Sequence, residues 1–440
     1  MKKVMMFLLL FTFCLCVNVS AQTYLSGTVY VSASGSNTNS GINESMPLKT
    51  LGAAFEVTAE KIIIVDSADY ADVSYGYVGI QVIEGKTADA VLNLPSTVSL
   101  KGNLKIDNVV IKGSSTFYAN GYSLEIGENV TCDGDTRLNV YGGKNSSALS
   151  GNTDIKLLGG KYNTIYGGGY KGAVNGDTNV LLGGNANPGE GINDSDSSTL
   201  SPCYVYGGSN SAPVSGKTNV TIEGNAVAKY IVGSGHGSGG TAVDTNIYIK
   251  GGSVMNVYGG SRSVALTDCN THIKITGGIV ESISGGCESV SMSGSTNIEL
   301  LGGEVTRRVY GGCYNNYDWY IIYGKWADTD NHVIGTTNIA ISDKVSLNTK
   351  KGLSGTNTLN VGVFSGSRIA SHPEDEVNTV IFLDGCYSSK KSVLGDKSGV
   401  SALKSFENYI VNAGKGGKVS GTNEAGKVKI MPALGKYALT

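Results

Sequence analysis

The chain has 440 residues, 34 basic against 36 acidic, and a formal net charge of −2. That balance excludes the dense positive surface needed by a nucleic-acid partner. Glycine is abundant at 63 residues and proline scarce at 7; with plentiful tyrosine, valine and isoleucine, this points to many short strands joined by tight corners.

Met1 to Ala21 reads MKKVMMFLLLFTFCLCVNVSA. Two lysines precede an apolar run closed by the small-x-small site Val19-Ser20-Ala21. This is the pattern of a secretory signal peptide cut before Gln22. No later segment is apolar enough for a membrane span. The expected product is an exported chain destined for the periplasm, the cell surface or the medium. Beyond the leader stand Cys132, Cys203, Cys269, Cys287, Cys313 and Cys386, with no CxxC pair and no zinc spacing.

Residues 22–61 hold a strand near Val29–Ser32, a polar loop over Ser34–Ser45, and a short amphipathic helix. Leu51, Ala54, Phe55 and Thr58 share one helical face, and a solenoid needs such a lid at its open end. From 62 to 345 the chain repeats. Aligning the residue before each Gly-Gly gives Tyr141, Tyr166, Tyr206, Val232, Tyr258, Ser284 and Tyr310, with steps of 25, 40, 26, 26, 26 and 26. The apolar residue of the Thr-Asn-Val type motif gives Ile155, Val180, Val220, Ile247, Ile273, Ile298 and Ile339, with steps of 25, 40, 27, 26, 25 and 41. Each step near 40 is one period plus an insertion, about 185–203 and 313–335. Short alternating strands with three corners in about 25 residues describe one rung of a parallel β-helix, whereas a propeller blade takes ~40.

The residue before each tyrosine position is β-branched: Val140, Ile165, Val205, Ile231, Val257, Ile283 and Val309. The tyrosine position itself accepts Val232 and Ser284, which an inward site would not tolerate without a void. The β-branched column is therefore expected to face the core, with the tyrosines exposed on the outer face. At a rung spacing of ~4.8 Å, Tyr141, Tyr166 and Tyr206 should stack as a ladder. Such a ladder is either a sugar-stacking platform or cross-rung packing that sets register. Past 345 the second column continues at Leu359 and Val380 in steps of 20 and 21, which suggests thinner rungs and a C-terminal cap over 346–440.

The stretch VYVSASGSNTNSG…PLKTLGAAFEVT resembles the opening segment of secreted bacterial right-handed parallel β-helix proteins of the pectate-lyase-like superfamily. GNLKIDNVVIKG at Gly102–Gly113 is similar to one of their rungs, and the VYGG repeats resemble those of bacterial surface proteins. The resemblance covers most of Val29 to Val345. It implies an all-β right-handed solenoid, on which lyases, hydrolases and adhesins are all found. Lyases of the superfamily use carboxylate-held calcium and a basic residue that removes a proton. Arg262, Arg307 and Arg308 are the candidates for that base. Arg262 stands one period before Glu288, so a surface ion pair across neighbouring rungs is expected. No acidic cluster recurs from rung to rung, and no catalytic metal site is expected.

The insertions carry the remaining chemistry. Asp194/Asp196 and Asp328/Asp330 are D-x-D pairs that could contribute to calcium binding but lack the other ligands of a known loop, and no cofactor is assigned. Tyr314, Tyr317, Trp319, Tyr320, Tyr323 and Trp326 fall within 13 residues of the second insertion. They form either a ligand-contact surface or a small aromatic core of the loop's own. The favoured expectation is a monomeric, non-catalytic binding protein for a glycan or a surface protein. A polysaccharide lyase or glycoside hydrolase and a structural stalk are the alternatives. Cys287 and Cys313, each after Gly-Gly and one period apart, should be neighbours on successive rungs.

Overall fold

The computed structural model describes residues 27–57, 59–71, 79–188, 203–314, 331–342 and 344–347, with short pieces at 362–364, 366–367, 376–382 and 429–432. The expected leader Met1–Ala21, most of 346–440 and the centres of both insertions lie outside these residues. The described chain is a parallel β-helix. One sheet of 14 strands and one of 11 run the length of the solenoid, with shorter sheets of 4 and 2 strands at the corners. The long sheet carries the Thr-Asn-Val motifs and the 11-stranded sheet carries the tyrosines; the latter is called the tyrosine sheet below.

Both sequence columns are in register. Ile155 pairs with Val180, Val180 with Val220, and onward through Ile247, Ile273, Ile298 and Ile339. Tyr141, Tyr166, Tyr206, Val232, Tyr258, Ser284 and Tyr310 follow the same rule on the tyrosine sheet. Each step near 40 is thus a single rung with an insertion. The spacing misleads only near the end. Ile339 pairs directly with Val380, so one long rung joins them where two thinner ones are expected from Leu359.

The core is the stack of inward columns. Val140, Ile165, Val205, Ile231, Val257, Ile283 and Val309 are all buried in it, facing the isoleucine and valine column of the long sheet. At the N-terminal end the helix Leu51–Glu56 buries Leu51, Ala54 and Phe55. The Thr50 hydroxyl caps it by accepting from Ala53 N–H at 3.2 Å, which satisfies one of the free amides of its first turn.

The two kinds of Gly-Gly corner differ in physical cause. At the corner that leaves the long sheet, Gly160, Gly184, Gly252, Gly278 and Gly303, each second in its pair, and the single Gly224 have φ between +54° and +79°, the left-handed region that glycine enters freely. In Tyr-Gly-Gly the reason is space. A Cβ on Gly142, Gly167, Gly207, Gly233, Gly259 or Gly285 would lie 2.0–2.3 Å from the carbonyl oxygen of the matching glycine one rung on. The buried threonine of each Thr-Asn motif completes this junction. Thr153, Thr178, Thr218, Thr245, Thr271 and Thr296 each donate a hydroxyl to that carbonyl at 2.6 Å.

The following asparagines form an outward amide ladder on the long sheet. Asn219 donates to Asn179, Asn246 to Asn219, and Asn338 to Asn297, each at 3.0 Å. His272 occupies the same column between Asn246 and Asn297. No helix among the described residues is long and apolar enough to cross a membrane.

Candidate functional site

The outer face of the tyrosine sheet collects ten tyrosines among the described residues, with His236, Arg262, Glu288 and Arg308 beside them. Tyr118, Tyr141, Tyr166 and Tyr206 stack in sequence, with centroids 5.2, 5.0 and 4.5 Å apart and rings within 16° of parallel. The expected ladder is present and one rung longer than expected. Its exposure is not as expected. Tyr141 is 8% and Tyr206 2% exposed, and Tyr166, Tyr258 and Tyr310 are also buried. The tyrosines point away from the solenoid core, yet they form a second buried cluster of their own.

The breaks in the tyrosine column are bypassed. At Val232 the stack moves to the neighbouring outward column, where Tyr204 and Tyr230 lie 5.2 Å apart and Tyr230 reaches Tyr258 at 6.1 Å. At Ser284 the ring of Tyr314 bridges Tyr258 and Tyr310, 5.9 Å from each. Tyr314, a candidate ligand contact by sequence, is 7% exposed and fills this gap. Its hydroxyl accepts from Arg308 at 2.7 Å, and the Arg308 guanidinium lies 4.9 Å from its ring centroid. Tyr317, Trp319, Tyr320, Tyr323 and Trp326 lie outside the described residues, as do Asp194, Asp196, Asp328 and Asp330.

What covers the tyrosines is a column that the sequence reading missed. Four residues past each tyrosine position stand Asn145, Tyr170, Asn210, His236, Arg262, Glu288 and Tyr314, spaced by the same steps as the tyrosines. The Tyr-Gly-Gly corner turns these residues back over the sheet. Tyr170 sets its edge on Tyr141 at 5.7 Å, and His236 sets its edge on Tyr206 at 5.7 Å. The periodicity was the available signal, but this column has no constant residue type to draw attention.

Arg262 is the centre of the site. Its Nε lies 2.8 Å from Glu288 Oε2, with side chains 32% and 6% exposed. Its Nη1 donates to the Tyr206 hydroxyl at 3.3 Å, and the guanidinium lies 5.7 and 5.3 Å from the ring centroids of Tyr204 and Tyr230. The expected pair across rungs therefore exists, but it is not a surface bridge, because the carboxylate is almost fully covered. The Nε–H is poorly aligned with Oε2, which is left buried without a hydrogen-bond donor. Burial raises the Glu288 pKa, and Arg262 opposes that rise without cancelling it. Burial also works against the Arg262 charge, but Glu288 and the Tyr206 hydroxyl outweigh it and hold the proton more firmly.

The other arginines are fixed in similar ways. Arg307 Nη1 meets Glu281 Oε1 at 3.0 Å. Arg308 Nε donates to the Ser282 hydroxyl at 3.2 Å. Burial pushes the phenols of Tyr141 and Tyr230 up to about 12, aided by Tyr118 for the first and Glu288 for the second. Burial, followed by Arg262, lowers the pKa of His236. These phenols and the imidazole are therefore neutral hydrogen-bonding groups at neutral pH.

Among the described residues no group of three or more His, Cys, Asp or Glu side chains is placed to hold a metal. The exposed face offers phenol edges, amides, one imidazole and a fixed guanidinium. That set suits hydrogen bonding to a neutral polar ligand. It does not suit flat stacking on sugar rings, because the ladder rings already occupy one another's faces. No family model, no curated protein and no solved structure matches the chain.

Proposed function

We propose that the chain is an exported, non-catalytic binding protein that holds a glycan along the outer face of its tyrosine sheet. The observation that carries this reading is Arg262. A guanidinium fixed by a carboxylate, a phenol hydroxyl and two aromatic rings, yet one-third exposed, is a donor fork that loses little freedom on binding. Half-buried Tyr204, Tyr230 and His236 lie beside it, and half-buried Tyr118, Tyr170 and Asn210 further along the same face supply more polar edges for sugar hydroxyls. The sequence adds the aromatic insertion with Trp319 and Trp326, and the leader Met1–Ala21 supports export.

Burial of Tyr141, Tyr166, Tyr206, Tyr258 and Tyr310 favours a second reading, a structural stalk in which the ladder only stiffens the solenoid. A lyase needs a base that gives up its proton before the reaction, and Arg262 is held more firmly protonated than usual. That weighs against Arg262 as the base.

A glycan array, with thermal unfolding in parallel, separates the two readings. The variant Arg262→Met/Glu288→Gln removes both charges together, so no unpaired charge is left buried. Losing a charged donor worth ~1.5–3 kcal/mol should weaken glycan binding by roughly 10- to 100-fold, with the melting temperature nearly unchanged. A wild type that retains no glycan, or a variant that binds equally well, would leave the stalk.

A further inference from the structure

We propose that Asn256, Ser282 and Arg308 form a binding site for a small monovalent anion, a halide such as chloride, on the outer face of the tyrosine sheet. The site goes beyond the glycan reading and stands without it. Its three residues lie in one outward column on successive rungs, Asn256 paired with Ser282 and Ser282 with Arg308. Each is more than nine-tenths buried. Two rings of the outer cluster flank them. Tyr314 has its ring centroid 4.9 Å from the Arg308 guanidinium, and Tyr258 lies 5.9 Å from Tyr314.

The charges on this face leave one cation over. Arg262 meets Glu288 at 2.8 Å and Arg307 meets Glu281 at 3.0 Å. Arg308 contacts no carboxylate among the described residues. Its Nε donates to the Ser282 hydroxyl at 3.2 Å and its Nη2 to the Tyr314 hydroxyl at 2.7 Å, and neither acceptor carries a charge. Burial raises the Tyr258 phenol well above its ordinary value, so that ring brings no counter-charge either. Glu281 lies within electrostatic reach of Arg308, but its carboxylate is engaged by Arg307. A buried charge is strongly unfavourable unless an opposite charge and hydrogen bonds offset it.

Hydrogen bonding leaves the same gap. The Ser282 hydroxyl accepts from Arg308, so its own hydrogen is turned elsewhere, and it meets no acceptor among the described residues. Arg308 Nη1 and the Asn256 amide also have no partner there. Neither is among the buried polar atoms sealed without a partner, so both keep an opening to solvent. One column thus presents a guanidinium N–H, a hydroxyl and an amide N–H on three successive rungs, all donors.

The geometry selects the class of anion. Arginine grips a carboxylate or a phosphate with two parallel N–H groups on one edge. The Nε and Nη2 edge of Arg308 is occupied by Ser282 and Tyr314. What remains is single donors at a rung spacing of ~4.8 Å. A spherical ion accepts from several directions at once and needs no fork. The depth of all three residues works against anything larger.

The test is a crystal of the full chain grown in sodium bromide, with anomalous data collected at the bromine edge. The expected result is a peak against Arg308 Nη1, with the Ser282 hydroxyl and the Asn256 amide around it. A water there, or a carboxylate oxygen, would overturn the proposal. In solution, urea unfolding is followed as chloride replaces gluconate at constant ionic strength. The wild-type midpoint should rise and level off, because an ion held only by the folded state stabilises it until the site is full. In Arg308→Met the saturable rise should vanish. Asn256→Ala leaves both hydroxyl partners of Arg308 in place and should need about 2- to 10-fold more chloride, for one hydrogen bond lost. An unchanged rise in either variant would overturn the site. So would a bromide peak with no saturable rise, which is binding at crystal concentration only. If neither variant folds, the wild-type map and titration decide.

Discussion

Gly259→Ala tests whether Tyr-Gly-Gly is a demand for space between rungs. The added methyl would sit 2.1 Å from Gly285 O and 2.9 Å from Thr271 Cβ, against ~3.3 Å for a close carbon–oxygen contact. Relief requires the rungs to part by about an ångström, and three bonds oppose that. Gly259 N–H donates to Ser284 O at 2.9 Å and Gly260 N–H to Gly286 O at 3.0 Å, while the Thr271 hydroxyl donates to Gly285 O at 2.6 Å. Weakening them at ~1 kcal/mol each, with ~1–3 kcal/mol of overpacking, puts the loss at ~4–6 kcal/mol. The matched control is Gly134→Ala. Gly134 has φ +51° and nothing within 4 Å of a built Cβ, so only backbone strain of ~1–2 kcal/mol applies. Urea unfolding followed by circular dichroism, read at equal m-values, compares them. A Gly259→Ala protein within ~1 kcal/mol of wild type, or a costlier Gly134→Ala, would refute the close-approach account.

Two further outcomes rest on the tyrosine face. Ser284→Tyr restores the repeat's commonest residue, yet it should destabilise by ~1–3 kcal/mol, because Tyr314 already bridges Tyr258 and Tyr310 there and the Ser284 hydroxyl donates to Gly312 O at 2.6 Å; a more stable variant in urea would mean the gap is open. For Glu288, burial raises the folded pKa above its ordinary value of 4.5 against the pull of Arg262. The folded state then holds this proton more tightly than the unfolded chain, so stability falls as pH rises from the unfolded to the folded pKa. Glu288→Gln removes that titration, and its stability relative to wild type should climb with pH across the window; a flat difference would sink the assignment.

The fold was legible because a rung repeats its backbone before it repeats its side chains. The Ile155 and Tyr141 columns could be read from spacing alone, and the structure pairs them residue for residue. Direction was legible as well. Alternation places Val257 and Tyr258 on opposite faces, and Val257 joins the core while Tyr258 joins the outer cluster. Exposure was not legible, because alternation says which way a side chain leaves the sheet and nothing about what lies over it. The covering residues are set by the path of the Tyr-Gly-Gly corner. That path depends on a glycine carbonyl one rung away, which is a contact between residues about a period apart.

The site was half legible for a related reason. Tolerance of valine and serine at the tyrosine position marked it as outside the core, and that inference holds. The ladder is nonetheless not interrupted there, because the gap at Ser284 is filled by Tyr314 from the corner of the next rung and the one at Val232 is bypassed through Tyr230. A column in a solenoid is therefore not an independent variable. Each outward position is packed by two neighbouring columns and by the rungs before and after, so a small residue in one column allows a large one in another. The Arg262–Glu288 pair obeys the same rule. Its one-period spacing fixed the partners, while their surroundings came from the tyrosines, Tyr206 and Tyr230 lying within electrostatic reach of both charges and Tyr258 within reach of Glu288. Constant residues in this chain build the rungs. The variable column four places after each tyrosine position is where one rung comes to differ chemically from the next, and the proposed glycan binding would draw its selectivity from there.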